Sequence, residues 1–311
     1  MSAAAAGAAL VLALLLGAVL VPALKRVGAG QTVRSTGPAS HLAKQGTPTM
    51  GGAIFLVPAA LVSLVALRAS SAVWALVVFT LGFAVLGFWD DYVKVMRRRT
   101  LGLRAREKLV VQLAWSAVFL WFSAQYLGAS APWALPWGGT LTPGAWYYPL
   151  GLLALVGTAN AVNETDGVDG LAGGTAVVAL GFFALYAASR GRVASSSYAL
   201  VLAAAVVGFL RYNLHPARVI MGDTGSLALG AALGALAVVT HAPLLLPLVG
   251  GVFALETLSV IIQVLTFRLT GRRVFRMSPL HHHFELSGWS EERVAGTFWV
   301  AALVFALLAW V

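Results

Sequence analysis

The chain has 311 residues, 59% of them hydrophobic and 10% charged, with a formal net charge of +10. Soluble domains carry about 25% charged residues, and a mean hydropathy of +0.86 excludes a soluble globular enzyme. Cysteine is absent, which excludes disulfides and thiolate metal centres. The basic residues lie between apolar runs rather than on one soluble face, so the expected partner is membrane lipid and no nucleic acid is expected.

A spanning helix needs about 17 to 25 predominantly apolar residues. That rule predicts ten spans, at residues 3–24, 51–67, 72–89, 109–127, 146–162, 170–188, 197–213, 225–240, 244–267 and 294–311. The expected fold is an all-α integral membrane protein, a single polytopic domain over residues 1–311 with no soluble domain in its loops. The first run ends at Lys25-Arg26 with no basic segment before it, and reads as a retained anchor. Between the fourth and fifth spans, residues 132–148 hold Gly138-Gly139 between short strand-like pieces rich in Trp and Tyr. This predicts a small hairpin on the outer membrane surface, with its aromatic rings in the interfacial belt.

Charge sorts the loops into two sets. Those after spans one, three, seven and nine hold 18 of the 21 Lys and Arg, whereas Arg68, Arg190 and Arg192 fall on the other side. By the positive-inside rule the first set is cytoplasmic and both termini are outside. The same division puts ten of the eleven acids and five of the six histidines at the cytoplasmic boundary, with Glu256 the exception inside span nine. A solvated loop face would not need its acids, amides, glycines and histidines at one surface, so that surface is the expected site.

Five stretches there could carry chemistry. Residues 41–52, which include His41, Lys44 and Gly51-Gly52, form a glycine-rich turn in which Lys44 suits a phosphate, though neither GxxxxGK[ST] nor GxGxxG is present. Asp90-Asp91-Tyr-Val-Lys94 places adjacent acids where a helix leaves the bilayer. They could hold a divalent cation or take a proton from a phosphate nucleophile, or simply form an i, i+4 pair with Lys94. Asn160 to Gly170 packs two amides and three acids between apolar runs. An acid in mid-span costs at least about 2.5 kcal/mol, so these groups face a polar cavity or water. Asn160, Asn163 and Asp166 recur every third residue on one expected helical face, while Glu164 points elsewhere. Met221-Gly-Asp-Thr-Gly-Ser226 opens span eight, with Asp223 or Thr224 as an expected N-cap and Asp223 as an expected metal ligand beside a phosphate-attracting helix end. Pro279 to Glu285 carries His281, His282 and His283. Without Cys or HExxH spacing, hydrogen bonding to phosphate or sugar fits better than zinc.

With GTPTMGG, DDYVK, NAVNxTDGxDGLAGG, MGDTGSLALG, ETLSVIIQV and PLHHHFELxGW in this order, nearly the whole chain resembles the phospho-MurNAc-pentapeptide translocases. These are a branch of the polyprenyl-phosphate hexose-1-phosphate transferase superfamily. The resemblance implies a Mg2+-dependent exchange at the cytoplasmic face of the bacterial inner membrane. Undecaprenyl phosphate attacks the β-phosphate of UDP-MurNAc-pentapeptide, giving lipid I and UMP. It also implies ten spans, outward termini and a homodimer. Transferred by position, Asp223 ligates Mg2+, and Asp90, supported by Asp91, deprotonates or orients the lipid phosphate. Asn160, Asp166 and Asn213 hold the nucleotide with Asp169 nearby, and Thr49 and Asn163 join the binding set. His281, His282 and His283 meet the diphosphate and sugar, His282 among the catalytic groups, while Lys44 and Lys94 supply positive charge. A GlcNAc-1-phosphate transferase is the alternative within the superfamily. A cation or proton transporter is the alternative outside it, disfavoured because the acids gather at one face.

Overall fold

A computed structural model describes residues 2–28, 30, 44–67, 70–97 and 101–310. His41 and the basic residues Arg34, Arg68, Arg98 and Arg99 lie outside the described residues. Among the described residues, ten long helices lie along the ten predicted spans: α1 (Ser2–Arg26), α2 (Ala53–Ala66), α3 (Ser71–Arg97), α4 (Ala105–Tyr126), α5 (Tyr147–Thr165), α6 (Leu171–Ser189), α7 (Val193–Asn213), α8 (Gly222–Val239), α9 (Gly251–Thr270) and α10 (Glu291–Trp310). Eight are long and apolar enough to cross a membrane. Of the other two, α2 has 14 residues, and α5 ends in the polar run Asn160 to Thr165.

The helices alternate in direction. The starts of α2, α4, α6, α8 and α10 meet the ends of α3, α5 and α7 at one end of the bundle, the end that carries the basic loops. At the other end, β1 (Trp133–Ala134) and β2 (Thr140–Leu141) form the expected antiparallel hairpin, with Trp133 opposite Leu141.

Small residues set the packing. In α1 the buried positions Ala5, Ala9, Ala13, Gly17 and Val21 are each four apart, a single ridge laid against α7. The innermost helix is α8, buried from Thr224 to Val239 and held chiefly between α3 and α5. Glycine allows this approach, since a Cβ on Gly230 would collide with the Thr158 carbonyl of α5.

Two boundaries differ from expectation. Helix α3 runs eight residues past the predicted limit of 89, so Asp90, Asp91 and Lys94 stand on its last turns. Span nine is not one helix: a short helix at Leu246–Val249 ends at Gly250, and α9 then leaves the bundle. Helix α9 buries only Gly251, Val252, Phe253, Glu256 and Ser259 and exposes Leu258, Ile261, Leu265 and Phe267, a surface suited to lipid.

Candidate active site

The site forms where the start of α8 crosses the end of α3. A Cβ on Gly87 would collide with the Asp223 carbonyl, so glycine lets the backbones touch. Asp91 caps α8 from across this contact. Its Oδ2 accepts from Thr224 N at 2.9 Å and Thr224 Oγ1 at 2.7 Å, and its Oδ1 accepts from Asp223 N at 3.2 Å. The expected cap by Asp223 or Thr224 is therefore replaced: the helix makes no side-chain cap of its own, and a buried carboxylate from α3 meets its exposed N–H groups instead.

That arrangement leaves the Asp223 carboxylate to face the polar space. Lys94 Nζ lies 2.9 Å from its Oδ1 and Lys108 Nζ, in the first turns of α4, 2.8 Å from its Oδ2. The same two lysines reach Asp90, at 2.6 Å and 3.6 Å, while Asp90 Oδ1 accepts from Leu103 N at 2.8 Å. Asn163 Nδ2 donates to Asp223 Oδ1 at 3.1 Å and to Ser226 Oγ at 2.8 Å. Asp90, Asp91 and Asp223 each offer an oxygen within 4.8 Å of the others, an all-oxygen set that fits a hard divalent cation. Asp90 and Asp91 are buried and the Asp223 side chain keeps 13% exposure, so Asp223 is the most open of the three carboxylates.

The GTPTMGG turn runs beside α8. Ile220 N donates to the Pro48 carbonyl at 2.8 Å, and Gly51 and Gly52 donate to the Ile220 and Met221 carbonyls, each at 2.9 Å. Buried Thr49 sits against Gly222, whose φ is +73°, and a Cβ on Gly52 would collide with Gly225.

Asn160, Asn163 and Asp166 do not share one direction. A step of three residues falls about 60° short of a full turn, so they fan across α5. Asn160 Nδ2 donates to Gln112 Oε1 on α4 at 2.7 Å, Asn163 turns to α8, and Asp166 lies just beyond the end of the helix. Burial, with the charges of Asp223 and Asp91 added, holds the Asp166 carboxyl well above the usual range. Glu164 is exposed, as its spacing predicted.

A second charged cluster adjoins the first. Lys44 Nζ lies 2.8 Å from Asp169 Oδ1 and 2.6 Å from Glu291 Oε2, and His215 Nδ1 lies 3.1 Å from Asp169 Oδ2. Burial alone would lower the Lys44 pKa, but the Asp169 and Glu291 carboxylates outweigh it and hold the ammonium above its usual range. Asp169, His215 and Glu291 also lie close enough to share a cation, though the Lys44 ammonium already bridges the two carboxylates. Asn213 is buried and its amide serves the backbone: Oδ1 accepts from Gly170 N at 3.1 Å and Nδ2 donates to Val219 O at 3.0 Å, joining two loops.

The three histidines differ. His281 is fully buried, and its Nδ1 lies 3.2 Å from Glu256 Oε1. His282 Nδ1 lies 2.9 Å from Glu285 Oε2, and His283 Nδ1 accepts from Arg276 N at 3.2 Å. Glu256, expected to be alone inside span nine, is thus brought to the same end as the other acids. The break at Gly250 is what redirects its helix.

Lys108, His215, Glu291 and Gln112 were not singled out from the sequence. Scarcity offered a signal: with eleven acids in 311 residues, an acid opening an apolar span, as Glu291 does, stands out as a candidate.

Comparison with known proteins agrees with this geometry. Residues 73–241 match the model of glycosyl transferase family 4, which takes in both acidic motifs of the α3–α8 crossing. Proteins named phospho-N-acetylmuramoyl-pentapeptide-transferase are similar over nearly the whole chain. The one from Desulforamulus reducens is 49% identical, covering 98% of this chain and 93% of its own, and that from Symbiobacterium thermophilum is 50% identical, covering 96% and 91%. A third, from Moorella thermoacetica, is 50% identical, with 96% and 94% covered. The chain belongs to the phospho-N-acetylmuramoyl-pentapeptide-transferase family.

Proposed function

We propose that this protein transfers phospho-MurNAc-pentapeptide from UDP-MurNAc-pentapeptide to undecaprenyl phosphate, in peptidoglycan synthesis at the cytoplasmic face of the bacterial inner membrane. A phosphate oxygen of the lipid bonds to the β-phosphorus, the bond from that phosphorus to the bridging oxygen of the α-phosphate breaks, and UMP leaves with the electron pair. Lipid I remains in the membrane. The observation that carries this reading is the meeting of three carboxylates and two lysines at the α3–α8 crossing, in a chain about half identical to transferases of this name.

Phosphoryl transfer depends mainly on positioning and on neutralising charge, and these residues supply both. Asp223 would hold Mg2+, which would supply charge neutralisation at the diphosphate. Asp90 orients or deprotonates the lipid phosphate, and Asp91 fixes the α8 start on which Asp223 stands. Lys94 and Lys108, now on Asp223, turn to phosphate oxygens when substrate arrives. Asn163 and Asp166 face the nucleotide, and Asn160, Asp169 and Asn213 hold that wall in place. His282, its Nδ1 held by Glu285, presents Nε2 to the diphosphate and sugar, beside His283. Lys44 and Thr49 line the approach. Outward termini follow from the basic loops, and a homodimer follows from the family resemblance.

Release of UMP tests the assignment, measured with both substrates and with each omitted. Mg2+-dependent release that needs both is the expected result. Turnover of UDP-GlcNAc alone would instead assign the chain to the sister transferases.

A further inference from the structure

The buried acid of α9 has no role in the transfer as described, yet its surroundings are specific. Glu256 and His281 are both fully buried, one on α9 and the other on the short helix Leu280–Glu285. A single oxygen, Glu256 Oε1, takes both the His281 backbone N–H and ring Nδ1, each at 3.2 Å. His281 is the one ion-pair partner of Glu256 among the described residues. On the far side of the ring, Nε2 meets Gly167, where a Cβ would collide with it. Among the described residues, Glu256 Oε2 and His281 Nε2 have no hydrogen-bond partner.

This is a poor way to gain stability. A buried acid gives up its hydration, unpartnered polar atoms add to that cost, and a well-packed apolar residue is often as stable or more so. What the arrangement secures is orientation. A carboxylate on Nδ1 makes that nitrogen the proton donor and fixes both the ring plane and the atom facing Gly167. Gly167 directly follows Asp166 and opens the turn that Gly170 closes.

We propose that Glu256 is a positioning residue: it holds His281 by backbone and ring, and through the ring's contact with Gly167 it sets the turn from Asp166 to Gly170. The effect on catalysis rests on the assignment of Asp166 to the nucleotide. The effect on the turn does not. Glycine at 167 is then the complement of the buried ring, and this carboxylate joins α9 to the turn beside the site.

Four variants in the full-length protein test this: Glu256→Met, Glu256→Gln, Gly167→Ala and the Glu256→Met/Gly167→Ala double. Glu256→Met fills the volume without an acceptor, whereas Glu256→Gln keeps a carbonyl oxygen for Nδ1. Deuterium uptake by the amides of residues 166–170, measured without substrate, is expected to rise in Glu256→Met and Gly167→Ala and to return toward wild type in Glu256→Gln. In the UMP-release assay, KM for UDP-MurNAc-pentapeptide rises about tenfold in Glu256→Met with a smaller change in kcat, and Tm is unchanged or higher. The double variant is little worse than either single variant, because both break one chain of contacts. Unchanged uptake at 166–170 in Glu256→Met overturns the proposal whatever the activity. So does a Tm that falls equally in Glu256→Met and Glu256→Gln alongside activity, which marks a merely structural acid. Wild-type protein inactive on UDP-MurNAc-pentapeptide would instead sink the assigned reaction and leave the exchange result to decide Glu256.

Discussion

The two ends of the bundle are built from different chemistry. All eleven acids of the sequence stand at the end where α3 meets α8, among them Asp90, Asp91 and Glu256 with at most 2% exposure. The opposite end has no acid. It closes with a hairpin of two-residue strands, with Trp133 Nε1 donating to the Ala129 carbonyl at 3.1 Å, and with Ala134 N donating to the His241 carbonyl at 2.7 Å. Backbone hydrogen bonds and aromatic packing are enough to close a helical bundle. The charge buried at the first end is more than closure requires, and substitutions should separate the two ends by what they damage.

The largest effect is expected at Asp223. Asp223→Asn keeps the side-chain shape and its contact with Asn163 but removes the most exposed carboxylate of the cluster, so Mg2+-dependent UMP release should fall by about 10²–10³-fold or more with Tm nearly unchanged. Near-normal turnover would remove Asp223 as the metal ligand.

Next is the clasp. Lys44→Met leaves the buried Asp169 and Glu291 carboxylates without their shared ammonium, a loss of about 3–5 kcal/mol for a broken buried pair. Here Tm should drop as well as activity, and thermal melting of the purified protein checks it. Replacing Glu291 as well should recover part of the stability.

Asp90 and Asp91 then divide the roles within one motif. Asp91→Asn turns an amide donor toward the N–H groups of α8 and should cost about 1–3 kcal/mol of stability along with activity. Asp90→Asn should lower kcat with little change in Tm or nucleotide affinity. Equal losses of Tm in both would show that the pair acts as one structural unit.

That contrast also marks how far the sequence could be read. Nine of the ten apolar runs form one long helix each among the described residues and the other, span nine, is broken at Gly250, because hydrocarbon allows almost no other spanning structure, and the hairpin forms around Gly138-Gly139. The motifs that loop charge assigns to one surface meet at one end of the bundle, since acids are too costly elsewhere. What the sequence left hidden was direction within a motif. In DDYVK one acid faces the lysines and its neighbour caps another helix, a division fixed by how α3 crosses α8. Asn160 and Asn163 fan apart because a three-residue step falls short of a full turn, and Asn213 is drawn into joining loops. Lys108 and Glu291 act through partners 115 and 247 residues away, a pairing no local spacing encodes.

The smallest effect belongs to the opposite end. His241 is half-buried with Arg192 Nη2 2.9 Å from its Nε2, and burial together with that guanidinium lowers its pKa from 6.5 to about 4. Depressed in the folded state, the group favours folding while both states are neutral, above about pH 6.5. Between that pH and about 4 the unfolded chain takes up a proton that the folded chain refuses, and stability is lost. Tm should therefore fall as pH drops through this window. In His241→Gln, which has no proton to gain and keeps a polar group beside Arg192, the fall should be shallower, with turnover at neutral pH unchanged. Parallel Tm curves for the two proteins would refute this role for His241. A matching loss of turnover in His241→Gln would show that the end without acids is coupled to the end that carries them, and the separation of chemistry from closure would fail with it.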